Sequence, residues 1–290
     1  MIDFTKCKEE INQYKGSEKK KTLIYNNVKY LVKFPDPLRQ KNKDLSYINN
    51  AFSEYIGSKI FELIGIKTQK TLLGYYNING KEKIVCACED FTTENKTLYE
   101  FENLANSTLL DKKVETEITD IMKIISDNKN LINETDTIKK FWEMFVVDSL
   151  IGNTDRHNGN WVFLKDNETD QITFAPIYDC GSCLNPLLDD EKIKSINDTE
   201  LKNLALNCYS CLKENGKKIN YAQFILSTTN AECNEAIVNI FPKINMEEIK
   251  EMINNIPCIS DCRKNFYINI LAQRYEQILY PKYQKLNLGL

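Results

Sequence analysis

The chain has 290 residues, 42% of them hydrophobic and 27% charged, and its 38 basic and 41 acidic side chains leave a net charge of −3. That composition is too apolar for a disordered protein, and the negative charge disfavours a basic surface that binds nucleic acid directly. No apolar stretch approaches the roughly 20 residues that span a bilayer, and residues 1–10 contain no signal-peptide core. We therefore expect a protein made in the cytoplasm, with no membrane span and no direct nucleic acid binding.

The first ninety or so residues are predicted to be mainly β-structure. Asn26-Asn27 and Asn79-Gly80 are turn signals that each separate two short strand-like runs, as in β-hairpins. Between these hairpins, apolar residues recur at spacings of three and four, which predicts a helix that ends near Gly65. The predicted elements are strands at 22–25, 29–34, 68–76 and 83–88 and a helix at 52–64.

The remainder of the chain is predicted to be mainly helical. One pair of strand-like runs, 160–164 and 172–177, interrupts helical patterns on both sides. We therefore divide the chain into a small β-rich lobe at 1–91 and a larger helical lobe at 92–290. The helical patterns lie at 111–133, 137–150, 246–256 and 265–279.

The densest polar cluster is Gly-Asn-Thr-Asp-Arg-His-Asn-Gly-Asn at 152–160, between an apolar helix and an apolar strand. A second polar group, Asp-Cys-Gly at 179–181, follows the next strand. Each taken alone is also typical of an ordinary polar turn. Together they suit phosphoryl transfer, because one carboxylate can accept a hydroxyl proton while an Asn and the second carboxylate hold Mg²⁺.

These motifs resemble those of protein kinases, which place Asp-x-x-x-x-Asn in a catalytic loop and Asp-Phe-Gly after a strand. The form Asp-Arg-His-x-x-Asn, found here at 155–160, is similar to HipA-type kinases and to phosphatidylinositol kinases. The surrounding residues, above all 141–184, resemble HipA-like serine/threonine kinases, among them a secreted bacterial kinase. The resemblance implies an α+β, bilobal protein-kinase-like fold with a small β-rich N-lobe and a larger helical C-lobe.

The resemblance implies roles for five residues that occur in the order of the family. Lys33, on an apolar strand, would bind the phosphates of ATP, and Glu54, on the following helix, would hold Lys33 in place. Asp155 would orient and deprotonate the acceptor hydroxyl, and Asn160 and Asp179 would bind Mg²⁺. The ordinary alternatives for the first two residues are an edge-strand lysine and a solvated helix glutamate.

Three further assignments follow from the resemblance. Glu89 and Phe91 belong to a Glu-Asp-Phe segment similar to the hinge whose backbone binds adenine, and an ordinary strand end is the alternative. Gly16 and Ser17 resemble the phosphate loop, with Ser17 as the autophosphorylation site, and an exposed lysine-rich turn is the alternative. His157, the one histidine of the chain, would either lie near the phosphates and the catalytic loop or bond only to the loop backbone.

The ten cysteines allow a rival interpretation. Cys180 with Cys183, and Cys208 with Cys211, form two Cys-x-x-Cys pairs of the kind that bind zinc. The 24 residues between the pairs exceed the usual spacing of such sites. We therefore favour reduced, mostly buried thiols.

The sequence thus predicts an ATP- and Mg²⁺-dependent serine/threonine protein kinase that phosphorylates itself and a protein substrate. Export as a bacterial effector into a host cell, without a signal peptide, belongs to the same hypothesis. Three alternatives stay open: a lipid or small-metabolite kinase on the same fold, a HipA-type toxin kinase with an antitoxin partner, and a pseudokinase that binds a partner.

Overall fold

The computed structural model describes residues 1–11, 19–35, 49–106 and 116–288. The strands in these ranges are β1 (Ile2–Asp3), β2 (Lys8–Glu10), β3 (Lys20–Tyr25), β4 (Val28–Lys33), β5 (Thr71–Ile78), β6 (Lys81–Glu89), β7 (Lys96–Glu100), β8 (Val162–Asp166), β9 (Ile172–Phe174), β10 (Tyr209–Glu214) and β11 (Lys217–Asn220). The α-helices are α1 (Asn50–Leu63), α2 (Phe101–Asn106), α3 (Ile118–Asp127), α4 (Glu134–Ile151), α5 (Asp190–Ser195), α6 (Asp198–Leu206), α7 (Tyr221–Ser227), α8 (Ala231–Ile240), α9 (Met246–Asn254), α10 (Asp261–Arg274) and α11 (Tyr280–Asn287). Among the residues described, none of these helices combines the length and the hydropathy needed to cross a bilayer.

Six strands form the N-terminal sheet, in the order β1-β5-β6-β4-β3-β2, with β1 and β5 parallel and the other neighbours antiparallel. Both predicted hairpins are confirmed. Asn26 and Asn27, like Asn79 and Gly80, all have positive φ, which two-residue hairpin loops require so that the turn matches the twist of the strands. One face of the sheet buries a small apolar core made of Phe4, Leu23, Tyr30, Val32, Phe34, Val85 and Ala87.

Helix α1 covers the other face of this sheet, where Lys33 of β4 and Cys86 of β6 lie directly opposite each other. The helix prediction is confirmed within two residues at its start, and the chain leaves the helix through Gly65 at φ 83°. Helix α1 also buries polar side chains, including Glu54. A buried carboxylate must be paired, so this glutamate indicates a charged partner inside the molecule.

Helix α4 forms the centre of the larger core. Its residues from Phe141 to Ile151 are nearly all buried, which leaves no polar face and explains the long apolar run in the sequence. Trp142 stacks on Phe224 of α7, and Phe141 contacts Trp161 in front of β8. The core therefore immobilises both the helix before the polar cluster and the strand after it.

Two β-elements of this region were missing from the sequence prediction. Strand β7 pairs with β8 to make a three-stranded β7-β8-β9 sheet. None of the β7 residues is buried, so its sequence lacks the alternation of apolar and polar residues that would have indicated a strand. The β10–β11 hairpin turns at Asn215-Gly216, a turn signal that would have located it. Helices α5 to α8 also lie in a part of the chain for which no element was predicted.

Backbone hydrogen bonds join the N-terminal sheet region to the residues that precede position 179. Thr68 forms a parallel bridge with Ile177, the amide of Gln69 donates to the Ile177 carbonyl at 2.7 Å, and the amide of Ile177 donates to Lys67. The division of the chain at residue 91 stays a prediction.

Candidate active site

Lys33 lies at the centre of the site, where β4 meets α1. Its Nζ lies 2.7 Å from Glu54 Oε2 and 2.6 Å from Asp179 Oδ1. The Lys33 and Glu54 side chains are 11% and 1% exposed, whereas that of Asp179 is 31% exposed. One ammonium group therefore links the sheet, the helix and the loop after residue 178, and only the Asp179 end of this junction faces solvent appreciably.

Glu54 uses its second carboxylate oxygen to fix the loop that carries Asp179. The amide of Cys180 donates to Glu54 Oε1 at 3.0 Å. The close approach of α1 depends on Gly57, because a Cβ at that position would lie 2.6 Å from Cys180 Cβ. Helix and loop are thus packed without space for a further methyl group.

Asp179 stands in the left-handed region, at φ 58°, a conformation that non-glycine residues adopt rarely and mostly at functional sites. Burial disfavours its charge, but the ammonium group of Lys33 more than offsets this and holds the pKa of Asp179 below its ordinary value. The carboxylate therefore stays ionised at neutral pH.

The polar cluster forms a tight loop after α4. Gly152 ends the helix in the left-handed conformation, and the Asn153 side chain accepts a hydrogen bond from the Asp155 amide at 3.1 Å. Asp155 and His157 are exposed, and Nδ1 of His157 accepts from the Gly159 amide. His157 thus bonds to its own loop and also lies close enough to Asp179 to act on it electrostatically, and its role near the phosphates stays a prediction.

Asn160 is turned by this loop toward Asp155. Its Nδ2 donates to the Asp155 carbonyl at 2.7 Å, which leaves the amide oxygen as an acceptor. An amide oxygen and a carboxylate, such as those of Asn160 and Asp179, are hard ligands of the type that Mg²⁺ prefers. The chemistry of the two side chains suits a divalent cation, and their binding of a shared Mg²⁺ stays a prediction.

Arg156 connects the two loops from inside the protein. Its side chain is 1% exposed and makes two hydrogen bonds, of 2.9 and 3.0 Å, to the carboxylate of Asp148 on α4. The same guanidinium donates to the carbonyls of Asn160, Tyr178 and Asp179. Burial opposes the charge of Arg156, but Asp148 more than compensates and raises the Arg156 pKa well above its ordinary value.

A family model described as the HipA-like C-terminal domain matches residues 13–256. The serine/threonine-protein kinase CtkA of Helicobacter pylori is 43% identical over 289 residues, an alignment that covers 96% of this chain and 86% of the relative. The chain belongs to the HipA-like family. The predicted HipA-like resemblance is thereby confirmed, and the predicted class of enzyme, a serine/threonine kinase, is that of the named relative.

Solved structures of the HipA-like family agree with the predicted fold. The crystal structure of the proinflammatory kinase CtkA of Helicobacter pylori superposes with a TM-score of 0.88 at 38% identity, and covers 100% of this chain and 99% of that one. The HipA toxin of Shewanella oneidensis, in a complex with HipB and operator DNA, has a TM-score of 0.55 at 12% identity over 95% of this chain and 69% of that one. The second likeness concerns the fold alone. The α+β, bilobal kinase-like fold is confirmed.

The hinge residues proposed from the HipA-like resemblance lie at the end of β6. The carbonyl of Glu89 accepts a hydrogen bond from Gln69 Nε2 at 2.8 Å, and the carboxylate of Glu89 lies 3.8 Å from Lys70. Phe91 contacts Tyr178 with ring centroids 6.0 Å apart. The segment therefore adjoins the residue before Asp179. Gly16 and Ser17, the predicted phosphate loop, lie outside the described residues.

Two of the four cysteines of the rival zinc interpretation, Cys183 and Cys211, donate to different backbone carbonyls in this HipA-like fold. Cys180, Cys183 and Cys208 are buried, and the Cys183 thiol donates to the Ser53 carbonyl at 3.2 Å. The Cys211 thiol instead donates to the Thr154 carbonyl at 3.0 Å. Across the described ranges, no group of three or more His, Cys, Asp and Glu side chains is placed to bind a metal ion.

Sequence reasoning missed the residues that hold this site together. Arg156 was part of the motif but received no role, and Asp148 received none either. A charged residue in the middle of an otherwise fully buried helix is a signal that could have identified Asp148, because such a charge needs a partner.

Proposed function

We propose that this protein is an ATP- and Mg²⁺-dependent kinase that transfers the γ-phosphoryl group to serine and threonine hydroxyls of a protein substrate. The observation that carries the proposal is the double ion pair of Lys33 with Glu54 and Asp179, at 2.7 and 2.6 Å. Kinases hold their phosphate-binding lysine with a helix glutamate in this way and place the metal-binding aspartate next to it. The HipA-like relationship of the chain supports the same chemistry.

In this proposal the exposed carboxylate of Asp155 orients the acceptor hydroxyl and takes its proton as the oxygen attacks the γ-phosphorus. The bond from that phosphorus to the β–γ bridging oxygen breaks, and ADP leaves. Lys33 supplies a positive charge to the phosphate oxygens. Bound Mg²⁺, held by Asn160 and Asp179, would neutralise the charge of the phosphates.

Transfer of label from γ-labelled ATP with Mg²⁺ to the protein itself and to myelin basic protein tests the proposal. We expect Asp155→Asn and Asp179→Asn each to reduce labelling by about a hundredfold or more, as for loss of a general base or a metal ligand. Asp120→Asn, an exposed substitution in the first turn of α3, is the matched control and should label like the wild type. A folded wild type that labels neither protein, but labels phosphatidylinositol vesicles, would replace the protein acceptor with a lipid.

We also propose that the kinase phosphorylates itself at Ser17, a residue suggested by the HipA-like phosphate loop. Peptide mass spectrometry after incubation with ATP and Mg²⁺ tests this assignment, with Ser17→Ala as the variant that should lose the modified peptide. A modified peptide elsewhere in the chain would reject Ser17 and leave the kinase activity intact.

An effector role is the last part of the proposal, and it rests on the relationship to a kinase described as proinflammatory. It predicts the full-length protein in the culture medium of the producing cells while a cytoplasmic marker protein stays inside them. Immunoblotting of medium and cells tests this, and protein found only in the cells argues for an internal target, as for a toxin kinase with an antitoxin partner.

A further inference from the structure

The β10–β11 hairpin lies against the loop that carries Asp155. The thiol of Cys211, on β10, donates to the Thr154 carbonyl at 3.0 Å and lies 3.7 Å from Asp155 Oδ1. Asp155 is exposed and Cys211 is half-buried, so the hairpin borders the solvent-facing side of this carboxylate. An acceptor segment that brings a hydroxyl to Asp155 must therefore pass next to the hairpin.

The hairpin is held firmly in that position. The carboxylate of Glu117, just before α3, accepts hydrogen bonds from the amides of Asn215 and Gly216 at the turn, at 2.5 and 3.1 Å. The amide of Lys213 donates to the Thr116 carbonyl at 2.7 Å, and the Thr116 hydroxyl donates to the Cys211 carbonyl at 2.9 Å. The hairpin is thus held on one side by the residues just before α3 and on the other by the loop that carries Asp155. A rigid surface of this kind can select among acceptor segments.

The two faces of the hairpin differ. Ser210, Leu212 and Ile219 are buried on the inner face. Because successive side chains of a strand point to opposite faces, Cys211 lies on the outer face. The same alternation places Lys213 beside it, and Lys213 is paired directly with Lys218 across the hairpin.

Lys218 contributes positive charge to this outer face. It pairs directly with Lys213, which lies two residues along β10 from Cys211, at the end of an irregular stretch of pairing that begins at Tyr209. Its charge also acts on that thiol: burial, together with Asp155, raises the pKa of Cys211 to about 11, and Lys218 opposes the rise. Lys218 is exposed and forms no ion pair within the ranges that the structure describes.

We propose that the outer face of the β10–β11 hairpin binds acidic side chains of the acceptor segment, so that the kinase prefers serine or threonine flanked by aspartate or glutamate. The inference rests on the proposed function. Lys218 lies opposite Lys213, two residues along β10 from the cysteine that contacts Asp155, so the preferred acidic residue lies a few positions from the acceptor hydroxyl.

Three serine peptides that differ only in having glutamate, alanine or lysine two and three positions from the serine test the proposal. We expect the wild type to show kcat/KM about fivefold or more higher for the glutamate peptide than for the alanine peptide at low salt, with the lysine peptide poorest. This preference should shrink as NaCl is raised, because salt screens exposed charges.

Lys218→Glu is the test variant, and Lys217→Glu is its matched control, since Lys217 is exposed on the same strand but paired with Glu214 on the opposite face. Lys218→Glu should abolish or reverse the order of the three peptides. Lys217→Glu should keep the wild-type order. Thermal denaturation of both variants checks that they fold alike.

Two results would overturn the inference, and they are distinguishable. If the wild type phosphorylates the three peptides equally, or if both variants keep its order, acidic recognition by the hairpin is wrong and the proposed kinase function stands. If the wild type phosphorylates none of the peptides, nor itself, nor myelin basic protein, then the proposed function and the inference fail together.

Discussion

At the scale of single residues, Arg156 does the most to bring the two polar loops together. One guanidinium pairs with Asp148 and donates to the backbone after Asp155 and around Asp179. An ammonium group cannot reproduce this, because lysine has no planar fork of donors. We therefore expect the Arg156 side chain to affect catalysis through the positions of Asn160 and Asp179.

We expect Arg156→Lys to lower the free energy of unfolding by about 3 kcal/mol, the range for a broken buried ion pair. Kinase activity should fall by about tenfold or more at a temperature where the variant is still folded, which is about 1.4 kcal/mol of transition-state stabilisation. Arg263→Lys is the control, because Arg263 pairs with Asp190 away from the site. Equal activity of the two variants would show that Arg156 serves stability alone.

Asp179 makes stability depend on pH in a defined direction. Its pKa is lowered from 3.8 in the folded protein, because Lys33 outweighs the effect of burial. A carboxyl group with a depressed pKa stabilises the fold fully above its unfolded pKa, and this contribution is lost as the pH falls through the folded pKa. We expect the difference in unfolding free energy between the wild type and Asp179→Asn to be constant from pH 5 to 7 and to shrink below about pH 4. Urea titrations measure it, and a difference that grows on acidification would contradict the ion pair.

At the scale of elements, the end of α4 sets the start of the catalytic loop. Gly152 has φ 65°, and the buried guanidinium of Arg274 from α10 lies directly against it, donating to the Leu150 carbonyl. A cation at a helix C-terminus is favourable because the last carbonyls carry partial negative charge. The last turn of α4 is therefore held by a residue more than a hundred positions away in the chain.

Gly152→Ala should destabilise the protein more than the loss of a left-handed glycine alone. An added Cβ would lie 2.3 Å from the Arg274 guanidinium, whereas one at Gly65, at φ 83°, would meet nothing within 4 Å. We expect about 1 kcal/mol for Gly65→Ala and about 3 kcal/mol or more for Gly152→Ala, with reduced kinase activity only in the second. Chemical denaturation of the two variants compares these costs, and equal values would mean that Arg274 moves aside freely.

At the scale of the whole molecule, the nucleotide is expected to bind where the N-terminal sheet, α1 and the Asp179 loop meet at Lys33. A ligand that binds the folded state alone stabilises it by about 2.7 kcal/mol at a hundred times its Kd. We expect ATP with Mg²⁺ to raise the Tm of the wild type and not that of Lys33→Met. Lys59→Met, which removes a lysine of α1 paired with Glu62, should keep the shift. A shift in Lys33→Met equal to that of the wild type would place the nucleotide elsewhere.

Much of the architecture was predictable because the sequence signals for it lie within a few neighbouring residues. The two hairpins follow from turn residues that tolerate positive φ, and α1 follows from apolar spacing within fourteen residues. The carboxylates and the asparagine of the candidate site stand at fixed spacing within two short motifs, so their order was readable without a structure. Strand β7 was missed because it buries no side chain, and its identity depends on pairing with β8.

The arrangement of the site required the folded chain, because its contacts join residues far apart in sequence. Lys33 and Asp179 are separated by 146 positions, and Cys211 and Asp155 by 56. Local sequence preferences do not encode contacts between residues so far apart in the chain. Such contacts arise only when tertiary packing brings distant segments together. The residue types for phosphoryl transfer were therefore evident from the sequence, whereas the double ion pair of Lys33, the connections of Arg156 and the charged hairpin beside Asp155 became visible only in three dimensions.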